Sequence, residues 1–174
     1  MKKKRKKFLL IIAVIFVAGL LLPQNFRMPV EGVGRAGYNQ ESFWYYPWGT
    51  SIVHHGVDIF AKKGTAVRSS TWGWVVPVPE TPKGGKSVWI LGPKWRFHYY
   101  AHLDRVDVKP FRFVSHKTQI GTVGNTGNAA TTPAHLHYGV ITAVPYPWLW
   151  DKDRLGWRKM FYLNPVKYLN EATK

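Results

Sequence analysis

Pro133-Ala134-His135-Leu136-His137-Tyr138-Gly139 sets two imidazoles two residues apart in an apolar run that continues to Ile141, and its reading decides the fold. Such a run predicts a strand, and in a strand successive side chains alternate faces, so His135 and His137 point the same way. A distant stretch, His54-His55-Gly56-Val57-Asp58, places His54 and Asp58 four residues apart, on one face if that segment is extended. Two imidazoles and a carboxylate can then converge on one ion. A mixed nitrogen and oxygen set of this kind is what a catalytic zinc uses when three protein ligands leave a fourth position for water. A structural zinc is more often closed by cysteine, and the chain has none. Spacing alone leaves open whether His135 or His137 is the ligand.

Outward from these stretches the pattern is short β-rich runs broken by Gly and Pro: Val57 to Phe60, Trp72 to Val76, Val88 to Leu91, Phe97 to Ala101, Phe113-Val114, Ile120 to Val123 and Leu136 to Ile141. No long helical periodicity interrupts them, which predicts a mainly β domain of antiparallel sheet with its site on strands that face a groove. Lys83-Gly84-Gly85-Lys86 reads as a hairpin turn between two of the runs. Gly121, Gly124 and Gly127 lack a Gly-Lys-Ser/Thr ending and a following helix, so they are expected to serve tight turns and close backbone approach rather than phosphate binding.

The ordered set His54-x-Gly56-x-Asp58-Ile59, Gly64-Thr65-Ala66-Val67, Tyr100-Ala101-His102-Leu103, Gly121 to Gly127 and His135-Leu136-His137 resembles the lysostaphin/LytM-type zinc metalloendopeptidases over roughly residues 47 to 145. The resemblance implies the duplicated hybrid motif fold of that family. It also implies zinc held by His54, Asp58 and His137, with His102 and His135 beside the metal as catalytic bases or transition-state stabilisers. Peptide cross-links of bacterial peptidoglycan are the substrate it implies. Imidazole suits both catalytic tasks near neutral pH. Two rival readings are a non-catalytic peptidoglycan-binding or activator module and a protease of envelope proteins; the first is disfavoured by the intact set of five residues.

The other histidines are assigned more modestly. His55 is expected to face away from His54, His98 shares parity with His102 and could reach the groove although the motif does not demand it, and His116 lies in a polar surface stretch.

Lys2 to Lys7 are all basic and Phe8 to Leu22 are apolar or glycine, so residues 1–22 read as a basic n-region followed by a signal anchor or transmembrane segment. No small-x-small cleavage site follows, which favours an uncleaved single-pass anchor in the cytoplasmic membrane with the catalytic domain outside, in the periplasm. Cleavage would make the protein a secreted one. Residues 23–46 read as a Pro- and Gly-bearing linker ending in an aromatic lead-in, and 47–170 as the metallopeptidase domain. Without the six basic residues of the n-region, 19 basic residues stand against 9 acidic ones, so the exported part carries +10 of the formal +16. Export and the lack of a nucleic-acid-binding motif leave peptidoglycan stem peptides and the membrane as the expected partners. Asn164-Pro165 signals the start of a short closing helix.

Overall fold

The computed structural model describes residues 2–173. Nine strands form one antiparallel sheet: β1 Val57–Phe60, β2 Ala66–Arg68, β3 Gly73–Val76, β4 Lys86–Gly92, β5 Arg96–Val106, β6 Phe113–Val114, β7 Gln119–Val123, β8 His135–Thr142 and β9 Tyr162–Leu163. Their main order is β1-β8-β5-β4-β3-β6, with β7 joining β2 to β5 and β9 pairing with β8. The expected runs all form strands. The short β2 and β9, too brief to show an alternation, were not legible.

Alternation divides β8 cleanly. Leu136, Tyr138 and Val140 are buried in the core with Ile59, Ile90, Tyr100 and Ile120, while His137, Gly139 and Ile141 line a cleft on the opposite face. Register then fixes what faces what: Asp58 on β1 and Ala101 on β5 are both Cα partners of His137. The closing helix α2, Pro165–Ala172, begins where expected, and Asn164 Oδ1 accepts the Val166 N–H at 3.0 Å as its N-cap.

Two expectations for the N-terminal part need correction. Lys2–Leu21 forms a helix, α1, but among the described residues no helix is long and apolar enough to cross a membrane. The reason is composition: the first six helical residues are basic, and the apolar remainder at 1.5 Å per residue reaches only about 21 Å against a hydrocarbon core of about 30 Å. The helix instead leans on the domain through Trp95, whose ring stacks on Phe16 at 6.0 Å and whose Nε1–H donates to the Phe16 carbonyl at 2.9 Å.

Residues 23–46 are likewise not a free linker. Phe26, Val30, Tyr38 and Trp44 are buried, Val30 bridges to Val67 and Tyr38 to Ile59, and Phe26 stacks on Tyr168 of α2 at 4.2 Å. The Tyr38 hydroxyl donates to Asn170 Oδ1 at 2.8 Å, tying this segment to the far end of the chain. Because each fully buried side chain of this size contributes about 1.5–3 kcal/mol, a chain starting at residue 41 should melt more than about 10 °C below one starting at residue 23. Equal melting temperatures by calorimetry would restore the linker reading.

Candidate metal centre

His54 Nε2, Asp58 Oδ1 and His137 Nδ1 meet in a triangle with sides of 3.1 Å (His54–Asp58), 3.0 Å (His54–His137) and 2.9 Å (His137–Asp58). Two different structural devices bring them there. Asp58 and His137 face one another through the β1–β8 register. His54 does not lie on β1, as an extended reading would have it; it sits in the loop before the strand, clamped by the Trp44 N–H to its carbonyl at 2.7 Å and its own N–H to the Tyr45 carbonyl at 3.0 Å. Its ring is fully buried, stacked on Trp48 at 4.3 Å.

The protonation of the site follows from its partners. His54 Nδ1 lies 2.9 Å from the Ser42 carbonyl, which can only accept, so Nδ1 carries the proton and Nε2 presents a lone pair to the triangle. Burial alone would raise the Asp58 carboxyl, but its hydrogen bond with the His137 ring at 2.9 Å leads the contacts that outweigh this and hold it well below the usual carboxylate range. Burial lowers His137, with Asp58 pulling the other way, so this ring too is a neutral donor. Three acceptor atoms thus face one another with at most one proton between them. That is a poor hydrogen-bond arrangement and a good cation site. A tetrahedral ion with ligand distances of about 2.0–2.1 Å has edges of about 3.3–3.4 Å, so sides of 2.9 to 3.1 Å need open by only a few tenths of an ångström.

Two further imidazoles border the triangle. His135 Nε2 lies 3.9 Å from Asp58 Oδ1, and the His102 ring sits 5.1 Å from that of His135 and 5.9 Å from that of His137. His102 Nδ1 is 2.9 Å from the Thr126 carbonyl and His135 Nδ1 is 2.8 Å from the Pro133 carbonyl. In each ring Nδ1 therefore donates to backbone, and Nε2 is the nitrogen left without a backbone partner. Burial first, then the neighbouring His137 and His135, lower the His102 pKa to about 4, so that ring is neutral at physiological pH.

Simple alternation would have sent His102 to the core. Tyr99 and Ala101 line the cleft, so a regular β5 would turn His102 away; its φ of 62° reverses the sequence and keeps it on the cleft side. Such a conformation costs a non-glycine residue about 1–2 kcal/mol. It is held from both sides, by the His102 N–H to the Gly84 carbonyl at 2.9 Å and the ring to Thr126. The same reversal explains why His98, of equal parity, does not reach the cleft. It is fully buried, bonded through Nδ1 to the Tyr138 hydroxyl at 2.7 Å and through Nε2 to Gln24 at 2.8 Å, and burial lowers its pKa to about 3. His55, expected to point away from His54, lies on the cleft wall between Trp44 and Tyr162. Its pKa is lowered to about 4 by burial and then by Arg158 and Lys83.

Gly56 stands in the motif that the sequence shows, but only the structure gives it a role, as the residue on which the centre depends. A Cβ there would stand 2.6 Å from the Tyr138 carbonyl and 2.8 Å from His137 Cε1 and Nε2.

The profile of peptidase family M23 matches residues 52–146, and the chain belongs to that family. It is 31% identical over 142 residues to the L-Ala–D-Glu endopeptidase of Bacillus subtilis, an alignment covering 72% of this chain and 44% of that protein. The chain thus spans less than half the length of that relative. The lysostaphin structure from Staphylococcus simulans superposes with a TM-score of 0.60 at 24% identity, covering 78% of this chain and 50% of the other, which supports the fold. A zinc containing peptidase from Vibrio cholerae superposes with a TM-score of 0.55 at 28% identity, covering 67% of this chain and 36% of that one.

Gly56→Ala should push the His137 ring out of the triangle and weaken zinc binding by at least about tenfold, within the range that changes beside a metal ligand produce. Gly139→Ala, whose new Cβ would lie no closer than 3.5 Å to any neighbour, serves as the control. Competition titration against a chromophoric chelator measures both; equal affinities would mean that Gly56 is not what positions His137.

Proposed function

We propose that this chain is a zinc-dependent endopeptidase that hydrolyses peptide bonds in bacterial peptidoglycan. The observation that carries the reading is the three-donor triangle, two of whose imidazoles line an open cleft, flanked by two further imidazoles whose Nε2 atoms are proton acceptors. Membership of peptidase family M23 and the likeness to an L-Ala–D-Glu endopeptidase support it. His54, Asp58 and His137 would hold the ion. When bound, zinc polarises a substrate carbonyl and lowers the pKa of a water toward about 7.

The chain's own residues supply the rest. His102 and His135 are the groups available to take the proton of an attacking water, return it to the leaving amine and, once protonated, donate to the developing oxyanion. The backbone bonds to Thr126 and Pro133 fix the tautomer of each ring, so the accepting nitrogen is always Nε2. Trp48, Trp89, Tyr99 and Tyr162 wall the cleft and would pack along an extended peptide while limiting water around the reacting bond. The catalytic unit, read as 47–170 from the sequence, would include the packed segment 23–46. The cell envelope is where such a substrate lies, and export on residues 1–22 would bring the domain to it.

Digestion of purified peptidoglycan followed by mass analysis of the fragments should release peptide-containing products with new amine termini, and no digestion by the zinc-loaded protein would contradict the reading. His137→Ala should lose zinc and activity together. His102→Ala should keep one zinc per chain and lose about 10²–10⁴-fold in turnover, the usual contribution of a positioned acid–base group. Loss of zinc from both variants would show that the two residues do not divide the work in this way.

A further inference from the structure

The cleft is unevenly charged. Besides its histidines, Lys83 is the single ionisable cation among the side chains that line it at neutral pH, and no carboxylate lines it among the described residues. Ser51 accepts a hydrogen bond from Lys83 Nζ, and Asn128 lines the same cleft. Ser51 ends one short 3-10 turn, Asn128 lies in another and Lys83 in the turn before β4, so their shared place on the cleft is a product of the tertiary fold.

The backbone beneath Lys83 is held in place rather than free. Its carbonyl accepts the Asn128 N–H at 3.1 Å, the next carbonyl, of Gly84, accepts the His102 N–H at 2.9 Å, and the Gly85 N–H closes the turn on Thr81 at 2.8 Å. A Cβ at Gly85 or Gly127 would come within 2.5 Å of the facing loop, so the two glycines let these loops touch. The turn that positions Lys83 is therefore the same one that holds His102 in its left-handed conformation. A cation fixed to the catalytic histidine's own support, with neutral donors around it and aromatic walls below, has the chemistry of a carboxylate receptor. The Lys83 side chain itself is exposed and so open to a ligand, while the turn that carries it is held.

Resting on the peptidase reading above, we infer that Lys83, with Ser51 and Asn128, forms a subsite for a substrate carboxylate next to the scissile bond, and that the enzyme prefers peptides with an acidic residue there over their carboxamide counterparts. Binding replaces the Lys83–Ser51 contact: Nζ moves to the carboxylate, and the Ser51 hydroxyl turns to donate to it as well. With Asp58 the one anion among the three metal donors, a divalent ion would leave a net positive charge on the cleft floor, which favours the same ligand.

The test is binding, so it does not depend on turnover. Calorimetry on the zinc-loaded full chain compares acetyl-L-Ala-D-Glu-amide with acetyl-L-Ala-D-Gln-amide, using wild type and Lys83→Met. Wild type should prefer the glutamate peptide by about tenfold, the size of a partly exposed charge-assisted hydrogen bond, with the preference shrinking as salt rises; in Lys83→Met it should fall to about one while zinc content stays at one per chain. A preference that survives in Lys83→Met would assign carboxylate binding to the metal and overturn the subsite, as would equal or undetectable binding of the two peptides to wild type. Lys83-dependent selectivity in a protein that digests no peptidoglycan would uphold the subsite and reject the peptidase reading separately.

Discussion

The register between β1, β8 and β5 is the constraint on which the centre depends. Asp58 and Ala101 flank His137 as Cα partners on either side, so one row across three strands sets a carboxylate beside an imidazole and leaves a small side chain on the third strand. A slip of one residue in either pairing would carry His137 to the core face and Tyr138 to the cleft. The buried set Leu136, Tyr138 and Val140 prevents that slip, because each would have to leave the core together. Core packing and metal geometry are therefore one specification written on alternate residues of β8.

Around this rigid row the protein places its less regular pieces. His54 arrives from a loop, fixed by the Ser42 carbonyl on its ring and by backbone bonds to Trp44 and Tyr45. His102 arrives by a local reversal of strand alternation, at a conformational cost repaid by bonds to Gly84 and Thr126. Glycines at 56, 84, 85 and 127 supply the close approaches that a side chain would block. Sheet regularity delivers two members of the triangle, and loops brought close by glycine contacts bring the third and the flanking His102 imidazole.

Much of this was legible in the sequence. The strands of the central sheet announce themselves by alternation, and His54, Asp58, His102, His135 and His137 stand in readable motifs, though only the family resemblance, not spacing, divided ligands from flanking residues. What was not legible depends on contacts distant in sequence. Parity along Phe97 to His102 suggested that His98 and His102 face together, and only the positive φ at His102 undoes it. The stretch after Pro23 looked like a linker because its Pro and Gly residues dominate the eye, yet Phe26, Met28 and Val30 recur at a period of two, the mark of an extended segment packed on one side. The basic block and apolar run at the N-terminus form the helix that they suggest, but its apolar length falls short of a span.

The central claim is that His54, Asp58 and His137 bind one divalent ion through Nε2, Oδ1 and Nδ1. X-ray absorption at the zinc edge on the chain loaded with one equivalent of zinc tests it most directly. The account predicts four light ligands at about 2.0–2.1 Å with the multiple-scattering signature of two imidazoles. Three imidazoles would bring His135 or His102 into the coordination set, and none would place the zinc elsewhere; either result would contradict it.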